Sequence, residues 1–440
     1  KRQVEATERL SEAATAGDTE AFLECLNPAS VRVIASLFSG TGTGSGSGSG
    51  TVTGKYDTHR KDVDDMTRPV LRTRLCDMLG IEYPIISAGM GPSLIGEATG
   101  APVELVVAVS EAGGLGVLGG AGYTVEELRE RIREIKNLTD KPFGVDLLLP
   151  PALVRAGDEE FTEPRETPLA EIVEQLPREH YDWLMKVKKE LELPDIDAKV
   201  RTGGTVMRPH AAVEVCSEER VPLVCAGLGN PAFRVEDAHR AGDKLLRIAG
   251  HTRNAARNAR GGADQVVAQG GEAGGHTAHV GSMTLWPQAV DAAAPTPVLG
   301  AGGIGDGRGV VAALALGCIG AWVGTRFLAS EEGGAIPAQK DAILKARDED
   351  SRRSTLYTGK PSRAPANKFH VLWEASGLEP LPFPTQVMLS SAIVNMFERA
   401  AMNEYISPFA GQVSGMIHEI RPAADILHEM VEEAVEILVK

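Results

Sequence analysis

The sequence predicts an α/β fold: a (β/α)8 TIM barrel with a helical insertion after strand three and a helical extension after strand eight. Eight short runs rich in Val, Ile, Leu and Gly recur between Pro84 and Leu328, alternating with segments of helical period. Their starts lie 20 to 33 residues apart, apart from one gap of 78 between the third and the fourth. Strands that are apolar on both faces belong to a parallel sheet covered by helices, and eight such units over roughly 250 residues suit a closed barrel better than an open sheet.

In chain order the expected strands are Pro84–Met90, Leu115–Gly120, Phe143–Pro150, Val221–Gly229, Lys244–Gly250, Asp264–Gly270, Pro297–Gly303 and Gly320–Leu328. Helical period places helices at Val103–Ala112, Val125–Asn137, Arg253–Arg260 and Gly307–Leu316. The long gap, 151–207, holds charged helical pieces at Leu169–Gln175 and His180–Leu191 between prolines. A connection of that length is expected to be a lid or a substrate-shaping insertion, and after strand three it falls at the catalytic mouth. The extension, 330–440, ends in the helix Ala423–Val439, expected to pack on the barrel or to form a dimer contact.

The barrel domain is expected to occupy 67–440, preceded by a Gly/Ser-rich flexible linker at 39–66. Residues 1–38 are expected to be a helical appendage too short to build its own core. Sixty acidic against 45 basic residues give a net charge of −15, which argues against a nucleic-acid partner. The sequence has no apolar run long enough to span a membrane and no secretory signal at its start. Cys25, Cys76, Cys216, Cys225 and Cys318 include no C-x-x-C pair, so reduced thiols and a cytoplasmic location are expected, with no metal site.

Three glycine motifs differ in what they signify. Gly114-Leu-Gly116-Val-Leu-Gly119 has the spacing of a dinucleotide fingerprint but follows a helix and runs through a strand, so it reads as a turn plus the second strand. Pro297-Val-Leu-Gly-Ala-Gly-Gly-Ile-Gly-Asp306 ends strand seven and opens a helix, and Ala321-Trp-Val-Gly324-Thr325-Arg326 ends strand eight. Glycine loops after strands seven and eight are where a barrel binds a phosphate through backbone N–H groups, assisted by helix N-termini. Gln269-Gly-Gly-Glu272-Ala-Gly274-Gly275-His276 follows strand six. It sets three polar side chains among glycines, with a histidine able to move a proton near neutral pH. The first strand ends Ser87-Ala88-Gly89-Met90-Gly91, small enough for a flat ring to lie against the backbone.

Together the stretches at 84–92, 264–276, 297–309 and 320–329 resemble the nitronate monooxygenase (2-nitropropane dioxygenase) family of FMN flavoprotein barrels, from about Thr73 to the C-terminus and including Gly411-Gln-Val-Ser-Gly415. The resemblance implies an FMN-dependent oxidoreductase that oxidises alkyl nitronates with O2, with His276 as catalytic residue. It places Ala88, Gly89 and Met90 beside the flavin ring, with Gln269, Gly274 and Gly275 lining it. Gly302 and Gly303 would meet the FMN phosphate, and Trp322, Val323, Gly324 and Thr325 would complete that cradle. Asp146 stands where the family usually has asparagine, which puts a carboxyl at the flavin edge.

Tyr357-Thr-Gly-Lys360-Pro-Ser-Arg363 and Trp286 with its neighbours resemble a subgroup that acts on CoA esters. The alternative is therefore an NAD(P)H-dependent FMN oxidoreductase on a bulky CoA thioester, with Lys360 and Arg363 meeting CoA phosphates. An alternative of another class is a non-catalytic flavin-binding scaffold. The inosine-phosphate dehydrogenase type of barrel is set aside, because it needs a nucleophilic Cys after strand six and this chain has none there. The expected partners are a small-molecule substrate, either nitronate or acyl-CoA, and a second copy in a homodimer.

Overall fold

The computed structural model describes residues 71–91, 99–149, 154, 165–202, 208–229 and 235–440, so the appendage and the linker lie outside the described residues. All eight expected strands form: β1 (Ile85–Ser87), β2 (Gly116–Gly119), β3 (Phe143–Leu149), β4 (Leu223–Gly229), β5 (Lys244–Ala249), β6 (Gln265–Gln269), β7 (Val298–Ala301) and β8 (Ala321–Val323). They make one parallel sheet in the order β1-β8-β7-β6-β5-β4-β3-β2. The Ser87 N–H donates to the Leu115 carbonyl and the Leu115 N–H to the Ile85 carbonyl, each at 3.0 Å, bringing β1 back beside β2 and curling the sheet into a barrel.

Alternation along each strand builds two cores. Ile86, Val117, Leu223, Cys225, Leu246, Val267, Leu299 and Trp322 fill the lumen, while Ile85, Val145, Val224, Leu245, Val266 and Ala321 pack outward against helices. That double burial explains the near-continuous apolar runs in the sequence. A short helix, Arg74–Leu79, inserts Leu75 and Cys76 into the lumen cluster from the strands' N-terminal end. Its N-cap Thr73 accepts from the Leu75 N–H and donates to the Ile319 carbonyl.

The outer helices are α1 (Val103–Glu111), α2 (Val125–Leu138), α3 (Pro209–Glu218), α4 (Val235–Ala241), α5 (Thr252–Arg260), α6 (Ser282–Ala293), α7 (Gly307–Ala315) and α8 (Ala423–Val439). The α2 start is a capping box in which Thr124 and Glu127 satisfy each other's backbone N–H. The final helix α8 packs against α7 and α1, which is the position a helix following β8 takes. The chain thus leaves the barrel after β8 and returns in its last helix to complete the helical ring.

Strand eight is shorter than its sequence suggests. The expected run to Leu328 stops at Val323, and Thr325–Leu328 is a single helical turn. The Val323 carbonyl takes the last ladder bond, from the Ala88 N–H at 2.8 Å, and Gly324 then turns the backbone out of the extended region.

Beyond the strands, insertion and extension meet in a core of their own. Insertion helices at Leu169–Val173 and Arg178–Glu190 bury Leu169, Val173, Leu184 and Val187 against Phe369, Leu389, Ile393 and Phe397 of extension helices Lys368–Ser376 and Thr385–Arg399. Polar ties span the same contact: His180 Nε2 lies 2.9 Å from the Glu379 carbonyl, and the Asp197 N–H donates to Asn395 Oδ1. A two-stranded ribbon, Arg165–Pro168 with Lys199–Thr202, flanks the insertion helices.

Candidate active site

The expected site residues gather at the C-terminal ends of the barrel strands. From β1, Ala88 and Gly89 border the mouth, and Gly89 packs against Asp146 so closely that a Cβ there would collide with the aspartate's own. Asp146 projects inward from β3, with Oδ1 accepting from the Gly227 N–H at 2.9 Å. Burial raises its pKa to about 7, opposed by that backbone hydrogen bond, so near neutral pH the protonated carboxyl, a donor as well as an acceptor, and the carboxylate are both populated. Met90 is half-buried, and its carbonyl accepts from the Ala101 N–H.

At β6 the chain turns through Gly270 and Gly271 into the loop that carries His276. Gln269 Nε2 donates to the His276 carbonyl at 2.8 Å, fixing the loop's return over the strand end. Gly275 and His276 form a two-residue strand against Arg363 and Ser362 of a hairpin in the extension, Ser351–Ser354 with Ser362–Pro365. His276 Nε2 sits 2.8 Å from Thr358 Oγ1, and its ring stacks on Phe409 at a centroid distance of 6.3 Å. His276 is exposed at the rim, yet protein flanks the imidazole. Burial first, then the positive charge of Lys360, lowers its pKa, so the ring is neutral at neutral pH.

The Thr358 hydroxyl donates to the Lys360 carbonyl at 3.2 Å. Its oxygen is then the acceptor for an Nε2–H of His276, which leaves the Nδ1 lone pair as the proton-accepting position.

The loop after β7 supplies the phosphate-type geometry. Gly302 and Gly303 have φ of +96° and +78°, a backbone region that favours glycine. The Gly303 and Gly324 α-carbons face open space, with no atom nearer than 3.5 Å to an added Cβ, and among the described residues the N–H groups of Gly302, Gly303 and Gly324 have no hydrogen-bond acceptor. This cradle fits the tail of a phosphorylated cofactor. The helix after β7, by contrast, does not contribute its N-terminus: Asp306 accepts from the Arg308 and Gly309 N–H groups, and Glu433 accepts from that of Gly307. The expectation of help from that helix end is corrected, because two carboxylates already occupy it.

Two of the expected cradle residues serve the frame. Trp322 fills the lumen beneath the mouth, and the Val323 side chain faces the helices. Thr325 is buried, and its hydroxyl accepts from the Gly411 N–H at 3.0 Å. That bond brings the segment 409–416 onto the β6, β7 and β8 loops, where it packs on Gly274 and Gly305. Glu272 is also a brace: its carboxylate accepts from the Ser282 N–H and hydroxyl at the start of α6. Arg363 donates to the carbonyls of Gly271 and Ser351, so its guanidinium is a strut between the His276 loop and the hairpin.

Thr358 and Phe409 were not legible as site residues in the sequence. They lie 82 and 133 positions from His276: Thr358 falls inside the Tyr357–Arg363 motif, where only the cations carried a reading, and Phe409 lies in a segment with no motif of its own. Among the described residues no group of His, Cys, Asp and Glu has the arrangement of a metal site, and no helix is long and apolar enough to cross a membrane.

Barrel, glycine cradle and rim histidine define a flavin oxidoreductase of the α/β barrel class. The family model for nitronate monooxygenase matches residues 72–433. A Mycobacterium tuberculosis chain named as a monooxygenase is 34% identical over 383 residues, covering 83% of this chain and 97% of the relative. A Staphylococcus haemolyticus chain named probable nitronate monooxygenase is 32% identical, covering 77% and 90%. Among solved structures, nitroalkane oxidase from Streptomyces ansochromogenes superposes with a TM-score of 0.66 at 28% identity, covering 82% of this chain and 98% of its own. FabK from Thermotoga maritima gives 0.61 at 31% identity, covering 83% and 96%. The chain belongs to the nitronate monooxygenase family and is an FMN-dependent oxidoreductase.

Proposed function

We propose that the enzyme oxidises alkyl nitronates with O2 at the barrel mouth. The observation that carries this reading is a neutral imidazole, His276, held at the rim by Gln269 and Thr358 and sharing the mouth with open glycine loops. The backbone of Gly302, Gly303, Gly324 and Thr325 would hold the FMN phosphate, above the Trp322–Val323 strand end. Ala88, Gly89, Met90, Asp146, Gln269, Gly274 and Gly275 would border the ring. Bound FMN supplies the electron transfer between substrate and dioxygen. His276 accepts the α-proton of a neutral nitroalkane at Nδ1, while its Nε2–H stays on Thr358 and keeps the ring in that tautomer. In its protonated form, which dominates below about pH 7, Asp146 donates a hydrogen bond that a carboxylate would lack.

Mass identification of the released cofactor, followed by oxygen uptake with a secondary alkyl nitronate, tests this. FMN release and uptake are expected. FMN-loaded protein that consumes no oxygen overturns the reaction, and a colourless protein that refuses FMN overturns the cofactor assignment. His276→Ala is expected to retain FMN and to lose roughly 10²- to 10⁴-fold in turnover of neutral nitroalkanes. A homodimer and a cytoplasmic location are proposed with it, whereas NAD(P)H as co-substrate belongs to the alternative reading, an oxidoreductase of a CoA thioester. Sizing in solution, cell fractionation and anaerobic bleaching by NADH check them in turn.

A further inference from the structure

The substrate of this reading is an anion, and the chain carries a net charge of −15, so a nitronate approaches against the protein's overall field. His276 is neutral at neutral pH and supplies no counter-charge. Arg363, the nearby guanidinium, is bound to two backbone carbonyls, and Glu272 is tied to Ser282. One cation is left that acts on His276: Lys360.

Its placement is built. Gly359, at φ +73°, packs so tightly on the Leu381 carbonyl and the Phe383 backbone that a side chain there would not fit. The Lys360 N–H donates to the same Thr358 hydroxyl that meets His276. The preceding turn is anchored through Leu356, whose carbonyl accepts from Gln386 Nε2 and Ser390 Oγ. The lysine ammonium lies 4.4 Å from the centroid of the Phe383 ring and pairs with no carboxylate among the described residues. A half-buried cation on an aromatic face, beside a neutral imidazole and two partly exposed phenylalanines, Phe383 and Phe409, suits a small organic anion with an alkyl tail.

Resting on the nitronate reading, we infer that Lys360 is the anion anchor of the site: its ammonium pairs with the nitronate oxygens and sets the preference for the anion over the neutral nitroalkane.

The test uses FMN-loaded enzyme and the variants Lys360→Met and Lys360→Arg. Methionine keeps an unbranched stem on Phe383 and removes the charge. KM for the nitronate is expected to rise about tenfold or more with kcat within about threefold, whereas KM for neutral nitroalkanes changes by less than about threefold, because the charge that Lys360 meets is absent from their ground state. Arginine restores most of the lost affinity. The His276 pKa read from the pH profile rises in Lys360→Met, because the Lys360 charge lowers it. Nitrate, titrated against the bound-flavin spectrum without turnover, is expected to bind at least tenfold more weakly to Lys360→Met. Unchanged nitronate KM and nitrate affinity overturn the anchor, as does an equal loss for anionic and neutral substrates. If the enzyme turns over no nitronate, the reaction reading fails while the nitrate titration still decides on Lys360.

Discussion

The barrel and the layer made by insertion and extension are built from similar side chains but are read from sequence in opposite ways. Each barrel strand carries its own apolar run, and its partners are the next units along the chain, so pattern and neighbour are both local. The outer layer joins segments about 200 residues apart: Leu184 and Val187 face Phe369 and Phe397, and His180 reaches Glu379. His276 belongs to both regions. By sequence it continues β6, but its strand pairing and its Nε2 partner come from the extension. The barrel therefore carries the open glycine loops, and the outer layer fixes the imidazole beside them.

The sharpest way to break this division is to cut a matched hole on each side. Phe327 in the barrel's helix-facing core and Phe369 in the outer layer are both fully buried. Truncation of either to alanine is expected to cost about 3–5 kcal/mol, measured by denaturant unfolding. The division predicts different functional losses. Phe327→Ala weakens FMN binding and turnover together, because Phe327 lies in the turn after Gly324. Phe369→Ala spares FMN affinity and lowers turnover, since Phe369 supports Tyr357 beside Thr358 at a ring distance of 5.7 Å. Equal loss of FMN from both variants would dissolve the distinction.

A smaller effect tests the barrel side alone through pH. Asp146 titrates at about 7 in the folded protein against 3.8 for an ordinary aspartate. Between those values the folded chain holds one proton more than the unfolded chain. The stabilisation is full below pH ~4, falls by at most ~1.4 kcal/mol per unit as pH rises, and is gone above pH ~7. Its ceiling is ~4 kcal/mol. The titratable group facing Asp146 from β4 is Cys225, whose thiol burial pushes far up, so it stays uncharged through this window; β1 and β2 present none. Asp146→Asn is expected to flatten this pH slope in unfolding curves, and to leave the His276 branch of the pH–rate profile in place. A slope that survives the substitution would assign it to another group.

How much was legible follows the same division. The eight strands, α8 and the glycine loops stand out because Val298–Ala301 or Gly302-Gly303 carries its meaning in a few adjacent residues. The expected strand eight runs too far because Phe327 and Leu328 extend the apolar pattern past Thr325 and Arg326, and only Gly324's backbone turn and the missing ladder partner end it. The N-terminus of α7 looked available because one of its two occupants, Glu433, lies 126 residues away. Arg363 looked free for a phosphate for the same reason, since its acceptors are the distant Gly271 and nearby Ser351 carbonyls. Tyr357–Arg363 stood out as a motif, but its hydrogen bond to His276 depends on a two-residue strand pairing that no periodicity reveals.

The smallest expected effect isolates that pairing from the chemistry. Thr358 gives His276 its one hydroxyl partner and also caps the Lys360 backbone. Thr358→Val keeps the β-branched shape and removes the hydroxyl's bonds to His276 and to the Lys360 N–H and carbonyl. A neutral hydrogen bond contributes a net ~1 kcal/mol, so turnover of neutral nitroalkanes is expected to fall roughly five- to tenfold, with FMN affinity unchanged. Thr358→Ser restores the hydroxyl and should recover most of the rate. If Val and Ser behave alike, the hydroxyl is not what orients the ring, and the stack on Phe409 together with the Gln269 bond to the His276 carbonyl suffices. The histidine would then be held by its own loop and by Phe409 of the extension, with no part played by the Thr358 hydroxyl.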